Sequence, residues 1–334
     1  MRIDLFIDLK RIAQNIITCK SKVILMVKGD GYGHGMVEVS KYVEPLVYGF
    51  GVATIEEGIL LRECGITKDI LVCQCLPEEV AVAKRYNLTV AVGNHETLDV
   101  AIKEDVDVQI KINSGMNRFG FDTKEIPHLK EIIPKGKTKG VYSHIYSPSF
   151  QADQREMFSR CVNLLDIDCD THISASSTVS DGDNIVRLGM NAYKGAMTAE
   201  SRIVAVRRLN AGDVVGYGNH MTNDGYVAWI FGGYADGISR EQPQPVLING
   251  KICPIVAVCM DAICAYTGEY EGYVGERVVL QNHILTPEYI AQETNTIPYT
   301  ILTSRRGRIN RIYTNDKRAS TKNCKRKAHV NERM

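Results

Sequence analysis

A single lysine, Lys28, stands where a buried strand is expected to end. It follows the apolar run 23–27 and opens a segment with glycine at every second position, VKGDGYGHG over 27–35. An apolar run of this length predicts a core strand, so Lys28 should lie where strand becomes loop. Half-burial beside apolar neighbours disfavours the charged ammonium, and the free amine is a nucleophile able to form a Schiff base. The competing interpretation is a strand-end lysine that extends its ammonium into solvent.

Other polar side chains stand at the ends of later apolar runs. They are Lys111 and Arg118 around the fifth run, His144 in the sixth, Ser176 at the seventh and Arg187 in the eighth. In a barrel of parallel strands the ligand lies above the carboxyl ends of the strands, so these residues would converge. Together they suit an anionic, heteroaromatic cofactor held by a covalent link, a phosphate grip and ring contacts. Taken singly, each has a structural explanation such as an ion pair, a satisfied core histidine or a helix cap.

The elements that position these residues alternate between short apolar runs and stretches of helical period. The apolar runs predict strands at 23–27, 48–53, 70–75, 89–93, 108–113, 140–145, 172–176 and 185–189, with helices at 55–64, 77–86, 94–104 and 154–165. Such alternation is typical of βα units around a parallel sheet. A count of eight strands favours an α/β fold of the (β/α)8 TIM barrel type, with an open doubly wound sheet as the alternative that periodicity leaves open.

Beyond residue 200 the sequence predicts strands and turns with little helix. Strands are predicted at 202–209, 213–217, 226–231, 246–248, 252–258 and 277–280, and one helix at 287–294. Asn249-Gly250 between two apolar runs is a strong hairpin signal. We therefore predict a barrel domain over 1–200, whose first eight or so residues pack with the next domain, and a mainly β domain over 201–316. The polar, basic stretch 317–334 is predicted to be a disordered tail.

Composition excludes several classes of protein. The 40 basic and 39 acidic residues give a net charge of +1, which does not indicate nucleic acid or a membrane surface as a partner. Asp4 and Asp8 interrupt the N-terminal apolar stretch, and no run is long enough to span a membrane, so we expect a cytoplasmic protein. The ten cysteines show no disulfide or metal-site spacing, and we expect them to be reduced, with no bound metal.

Taken together, the motifs resemble those of the alanine racemases, pyridoxal-phosphate enzymes with a (β/α)8 barrel followed by a β domain. The resemblance runs from Ile3 to Tyr313. It is carried by VKGDGYGHG at 27–35, VATIEEGILLRECGI at 52–66, KINSGMNRFGF at 111–121, VRLGMNAYKG at 186–195, GDVVGYG at 212–218, GYADG at 233–237 and CMDAI at 259–263. It implies an isomerase that interconverts L- and D-alanine and supplies D-alanine for cell-wall peptidoglycan.

The resemblance also implies roles in holding pyridoxal 5'-phosphate. Lys28 matches the lysine that carries the cofactor, and Tyr32 the tyrosine that contacts its phosphate. The rest of the phosphate cradle matches Ser176 with the backbone of Gly189 and Met190. His144 matches the histidine near the cofactor ring, and Arg187 the arginine that faces the pyridine nitrogen. Because arginine does not give up its proton, that nitrogen would stay unprotonated, and the weaker electron sink would favour simple removal and return of the α-proton.

Racemisation needs a base on each face of the substrate, and the resemblance assigns Lys28 to one face and Tyr217 to the other. A tyrosine loses its proton only near pH 10 in water, so this base needs help from neighbouring positive charge or hydrogen bonds. In the family the tyrosine comes from a partner subunit, which implies a homodimer with shared active sites. The same partner would supply Tyr234, Met260 and Asp261. Arg118 would contact the carboxylate of the small amino-acid substrate, and Lys111, a position carbamylated in some members, would hold Arg118.

The match departs from the family at four positions. Gly307 stands where the family has a phosphate-contacting tyrosine, and Arg305, Arg306 or Arg308 would supply charge instead. Ala175, Asn113 and Gly29 replace an asparagine, an aspartate and an alanine. The alternatives are therefore a serine or broad-specificity racemase, a decarboxylase of the same architecture, and a non-catalytic pyridoxal-phosphate-binding barrel. GDVVGYG and CMDAI argue against the last, because such barrels lack the β domain.

Overall fold

The chain begins with a strand that lies outside the barrel. In the computed structural model, which describes residues 3–176, 178–180 and 182–314, β1 spans Ile3–Asp8 and buries every second side chain. Asp8 then caps helix α1, Leu9–Ile17, by accepting the Arg11 backbone N–H at 2.9 Å. This cap fixes the point at which the chain leaves the strand and enters the barrel domain.

Eight parallel strands form the barrel, and they pair in chain order. They are β2 (Lys22–Met26), β3 (Gly49–Val52), β4 (Asp69–Val72), β5 (Thr89–Val92), β6 (Val108–Lys111), β7 (Thr138–Tyr142), β8 (Asp170–His172) and β9 (Ile185–Leu188). The first of these, β2, also pairs with the last, β9. One bridge between Ala175, in the segment after β8, and Arg187 of β9 closes the ring. The predicted (β/α)8 barrel is confirmed, and the open-sheet alternative was wrong.

Helices cover the outside of the barrel and connect its strands. Their bounds are α3 (Met36–Val43), α4 (Ile55–Glu63), α5 (Val80–Arg85), α6 (His95–Lys103), α7 (Ile126–Ile132), α8 (Gln151–Leu165) and α9 (Met190–Tyr193). The segment α2 (Lys28–Tyr32) is a single turn with positive φ over residues 29–32 and is not a regular α-helix. The predicted helix over 77–86 begins as a 3₁₀ turn at Pro77–Glu79 before α5. Buried aliphatic side chains form one continuous core that lies between the strands and helices of the barrel and extends into the rest of the chain, including β1.

The remaining elements build a mainly antiparallel β domain with two short helices. They are β10 (Met197–Leu209), β11 (Val214–Val215), β12 (Asn219–His220), β13 (Gly225–Phe231), β14 (Val246–Ile248), β15 (Lys251–Cys253), β16 (Ile255–Val258), β17 (Ala262–Gly268), β18 (Arg277–Gln281), α10 (Pro287–Glu293), α11 (Pro298–Ser304) and β19 (Ile309–Thr314). The long strand β10 contains residue 200. β1 joins this sheet between β10 and β19, so the start of the chain packs with the β domain.

Several details of the β domain differ from the sequence prediction. The strand expected over 252–258 is two strands separated by Pro254, which has no N–H to donate. The strand expected over 213–217 ends at Val215, because Gly216 has a φ of +63°. The Asn249-Gly250 hairpin is confirmed, with φ of +45° and +73°. The sequence did not predict β17, β19 or α11, and the last of these matters for the site.

The predicted basic tail over 317–334, with the last residues of the segment 201–316, lies outside the described residues. Within the described ranges, no helix is both long and apolar enough to cross a membrane.

Candidate active site

A cavity of about 510 Å³ lies at the carboxyl ends of the barrel strands. It brings together every site residue that the sequence predicted in the barrel: Lys28, Tyr32, Lys111, Arg118, His144, Ser176, Arg187, Gly189 and Met190. Four of these side chains are lysine or arginine, and no described carboxylate lines the wall. A concave surface with unbalanced positive charge attracts and retains anions.

The loop that carries Lys28 is wound in the left-handed sense. Gly29, Asp30, Gly31 and Tyr32 have φ of +63°, +54°, +63° and +52°. Two glycines take this conformation without a Cβ penalty, whereas the other two residues cost about 1–2 kcal/mol each. The alternating glycines of the sequence thus permit a tight turn after β2, and the turn sets both Lys28 and Tyr32 on the cavity wall.

Two charged residues that sequence reasoning left without a role hold this loop in place. The Glu57 carboxylate accepts the N–H of Gly29 at 2.8 Å and that of Ala53 at 2.7 Å, and so ties the ends of two neighbouring strands together. From the β domain, Arg311 pairs with Asp30 at 2.8 Å and donates Nε–H to the Gly33 carbonyl at 2.9 Å. The lysine loop is therefore fixed from both domains.

Replacing Glu57 with glutamine should destabilise this arrangement. A carboxylate accepts on both oxygens, whereas a glutamine amide has one acceptor oxygen, so one backbone N–H would face an NH₂ group. We expect a loss of about 1–2 kcal/mol in the free energy of unfolding, measured by urea denaturation. Glu63→Gln, at an exposed position in the last turn of the same helix, is the matched control and should change little. Equal unfolding midpoints for the two variants would contradict this role for Glu57.

Arg187 is held by a network buried inside the barrel. Its guanidinium is only 5% exposed, donates to Nδ1 of His172 and lies over the Tyr142 ring, 5.0 Å from the centroid. Because Nδ1 of His172 accepts the hydrogen bond from Arg187, the ring proton sits on Nε2, which donates to the Gln109 side-chain oxygen at 2.8 Å. Burial, reinforced by Arg187, lowers the His172 pKa well below its ordinary value and keeps the ring neutral. No sequence pattern singled out His172 or Gln109, which orient the arginine.

The His144 ring is uncharged, and positively charged side chains lie near it. Burial first, and then Arg187 and Arg118, lower its pKa to about 3. The Arg187 guanidinium lies 3.4 Å from Nδ1 of His144, which has a lone pair to accept this contact in the neutral ring. At neutral pH this residue therefore offers a flat, uncharged surface to the cavity.

Hydroxyl groups collect at one end of the cavity. Ser176 Oγ accepts the Gly189 N–H at 2.9 Å, and the Asn191 side chain donates to the Ser176 carbonyl at 2.8 Å. A Cβ at position 189 would lie 2.6 Å from the Tyr32 hydroxyl, so only glycine lets that hydroxyl approach the backbone here. Burial raises the pKa of Tyr32, so its hydroxyl stays protonated and can donate a hydrogen bond to an anion.

Lys111 and Arg118 form a second cationic group on the opposite wall. Lys111 is 8% exposed, and its Nζ lies 4.8 Å from the centroid of the Phe119 ring. Burial first, and then the charge of Arg118, lower the Lys111 pKa to about 8. Arg118 has no ion pair with any residue in the described part of the chain. The two positive charges repel each other, so an anion next to them would be stabilised.

The predicted residues of the β domain form a separate group, in which Tyr234 is half-buried and the other three are exposed. Tyr217 lies in the β11–β12 hairpin with 75% of its surface exposed, and Met260 is 56% exposed. Backbone hydrogen bonds join Tyr234 to the stretch that contains Met260 and Asp261. The hairpin also lies next to the segment 259–261, since the Cys259 sulfur is 4.0 Å from the point where a Cβ at Gly216 would stand. Within one chain, none of the four predicted residues of this group lines the Lys28 cavity.

The expectation that Arg305, Arg306 or Arg308 supplies charge to the cavity was wrong. Arg308 pairs with the buried Asp236 at 2.7 Å, Arg305 is buried against Gln244, and Arg306 lines a different cavity in the β domain. Arg305 and Arg308 are held by these partners, and none of the three arginines lines the Lys28 cavity. The β domain contributes Tyr299 and Thr303 to the cavity instead, both from the unpredicted helix α11.

Comparison with known proteins gives one consistent family. The family models "Alanine racemase, N-terminal domain" and "Alanine racemase, C-terminal domain" match residues 7–196 and 196–313. The alanine racemase of Streptococcus agalactiae serotype Ia is 33% identical over 92% of this chain and 97% of that protein. The Bacillus anthracis alanine racemase structure with bound L-Ala-P is 26% identical, with a TM-score of 0.84 over 92% of this chain and 94% of that one. The Bartonella henselae alanine racemase with covalently bound pyridoxal phosphate shares the fold, with a TM-score of 0.84 at 24% identity over 94% and 99% of the two chains.

Proposed function

This chain belongs to the alanine racemase family of isomerases, and we propose that its barrel cavity binds pyridoxal 5'-phosphate and there interconverts L- and D-alanine. The observation that carries this proposal is the convergence of Lys28, three further cations and the hydroxyls of Tyr32 and Ser176 in one cavity that no described carboxylate lines. A phosphorylated, aromatic cofactor matches that arrangement in charge and in shape. The D-alanine formed would serve cell-wall peptidoglycan.

The residues present fit the cofactor. Lys28 would hold it covalently, while Tyr32, Ser176 and the backbone at Gly189 and Met190 would bind the phosphate. Because Gly189 has no Cβ, there is room for the phosphate to approach the backbone at this position closely. Arg187 would donate to the ring nitrogen, because its guanidinium is locked in place and always carries its protons. When bound, pyridoxal phosphate withdraws electrons from Cα of the attached amino acid and makes the Cα proton acidic.

Lys28 would exchange that proton on one face of the substrate, and a second base is needed on the other. In a single chain Tyr217 is too exposed to act as this catalytic base. Met260, beside the Tyr217 hairpin, is also exposed and adds apolar surface that a partner subunit would cover. We infer a homodimer in which the partner subunit's Tyr217 completes the site. Tyr234, Met260 and Asp261 would come from the same subunit, and Arg118 would bind the substrate carboxylate.

Lys111 would become a carbamate that pairs with Arg118. Its depressed pKa leaves part of the side chain as a free amine near neutral pH. The amine nitrogen would form a bond to the carbon of CO₂ and release one proton to solvent, which leaves a carboxylate on the side chain. The change would replace one of the two adjacent cations with an anion, which would pair with Arg118 and orient it toward the substrate.

The Lys111 proposal makes a pH-dependent prediction. At a fixed concentration of dissolved ¹³C-labelled CO₂, the carbamate signal in ¹³C NMR should grow as the pH rises through about 8, because the neutral fraction of Lys111 grows there. Lys111→Arg should abolish the signal, since arginine holds its proton throughout this range. A signal that persists in the variant, or that does not respond to pH, would argue against carbamylation at this position.

Borohydride reduction tests the cofactor assignment directly. The reduced protein should carry the pyridoxyl group on the peptide that contains Lys28, as identified by mass spectrometry. In parallel, L-alanine and L-serine should be supplied side by side with detection of the D-enantiomers, and we expect D-alanine to form. A label on a different lysine, or no D-alanine, would contradict the proposed function.

A further inference from the structure

Position 307 cannot serve the cavity in the way that the aligned tyrosine of similar proteins would. Gly307 does not line the cavity, and its φ of +74° lies in the region that favours glycine. A Cβ there would lie only 2.8 Å from the Ala235 carbonyl oxygen. A tyrosine at 307 would therefore be strained and would press against the backbone of the 234–236 turn. Any further hydroxyl for the anion end of the cavity must come from elsewhere.

Helix α11 reaches the same end of the cavity from the β domain. Tyr299 and Thr303 are four residues apart, on one face of this helix, and both line the wall. The Tyr299 ring centroid lies 6.1 Å from that of Tyr32, whose hydroxyl is the one beside Gly189. The Thr303 methyl lies 3.6 Å from the point where a Cβ at Gly29 would stand, so α11 sits against the lysine loop.

Of these two side chains, Tyr299 is the one free to donate. The Thr303 hydroxyl already donates to the Tyr299 backbone carbonyl at 2.8 Å. The Tyr299 hydroxyl has no hydrogen bond to any described residue, and its side chain is 40% exposed. Burial, followed by the neighbouring Tyr299, raises the pKa of Tyr32, so the Tyr32 hydroxyl also keeps its proton.

We propose that Tyr299 donates a hydrogen bond to the phosphate of the cofactor and so replaces the tyrosine missing at position 307. The inference rests on the proposed function, because it requires pyridoxal phosphate to bind in this cavity. Tyr299 and Tyr32 would approach the phosphate monoester from two domains. Tyr299 would then set how strongly the protein prefers the phosphorylated cofactor to its unphosphorylated form.

The test compares two cofactor forms with the full chain stripped of its cofactor. Pyridoxal phosphate and pyridoxal are titrated separately into wild type and Tyr299→Phe, with binding followed by absorbance. A hydrogen bond to a charged group is strong, so we expect Tyr299→Phe to weaken pyridoxal phosphate binding about tenfold or more. Pyridoxal lacks the phosphate, and its affinity should stay within about twofold. The matched control is Tyr273→Phe, an exposed tyrosine of the β domain that does not line the cavity, and it should affect neither ligand.

Each outcome bears on a specific claim. Unchanged pyridoxal phosphate binding in Tyr299→Phe, or an equal loss for both ligands, would overturn the assignment while leaving the proposed function intact. A wild-type chain that bound neither ligand would overturn the proposed function itself. Gly307→Tyr should bring no gain in pyridoxal phosphate affinity, because a side chain at 307 meets the Ala235 carbonyl and does not line the cavity. A tenfold gain in that variant would contradict the role of Tyr299.

Discussion

Lys28→Arg should reduce racemisation by about a thousandfold or more while leaving the protein folded, because both roles of Lys28 require a neutral amine. Arginine keeps a positive charge at the end of β2 but holds its proton at any working pH, so it can neither bind the cofactor covalently nor accept the Cα proton. The measurement is D-alanine formation from L-alanine with pyridoxal phosphate in excess.

The matched control is Lys139→Arg, at the opposite end of the barrel. Lys139 lies near the start of β7, where it is exposed and pairs with Asp107 at 3.4 Å, an interaction that arginine can keep. We expect near-normal activity from it. If Lys28→Arg retained activity within about tenfold of the control, Lys28 could not be an essential base or the attachment point of the cofactor.

Tyr217→Phe should suppress racemisation by about 10²–10⁴-fold and do so asymmetrically at the level of proton exchange. With only Lys28 left as a base, the Cα proton that faces Lys28 can still exchange with solvent, whereas the proton that faces the lost phenol cannot. In D₂O, ¹H NMR should show continued Cα exchange for one enantiomer of alanine and strongly reduced exchange for the other.

Tyr273→Phe provides the control for that experiment. Tyr273 is another exposed tyrosine of the β domain, 63% accessible, and no part of the proposed site includes it. Its replacement should leave both exchange rates unchanged. Equal and modest losses for the two enantiomers of alanine in Tyr217→Phe would count against a scheme with two bases on opposite faces.

The barrel and its cavity were predictable because both depend on local pattern. Apolar runs and helical periods alternate over the first 190 residues, and parallel strands in a barrel bring their carboxyl ends to one rim. Lys28, His144 and Arg187 could be placed together on that basis. The assignment of a particular cofactor, however, required the resemblance of whole motifs, since each residue alone has an ordinary structural explanation.

The supporting residues were not predictable, because their roles arise from contacts between distant segments. Arg311 reaches the lysine loop from β19, almost 280 positions away along the chain. Glu57 acts through two backbone N–H groups that no side-chain pattern reveals. Tyr299 sits on a seven-residue helix that was not predicted, and its relevance follows from the backbone conformation at Gly307.

The central claim is that one active site combines Lys28 of one subunit with Tyr217 of another. Chains carrying Lys28→Arg and Tyr217→Phe should be co-expressed with different affinity tags, and dimers that retain both tags should be isolated. In such a mixed dimer one site carries both substitutions and the other carries neither. We therefore expect two inactive parents to yield a dimer with about half of wild-type activity. A mixed dimer no more active than its parents would contradict the shared site.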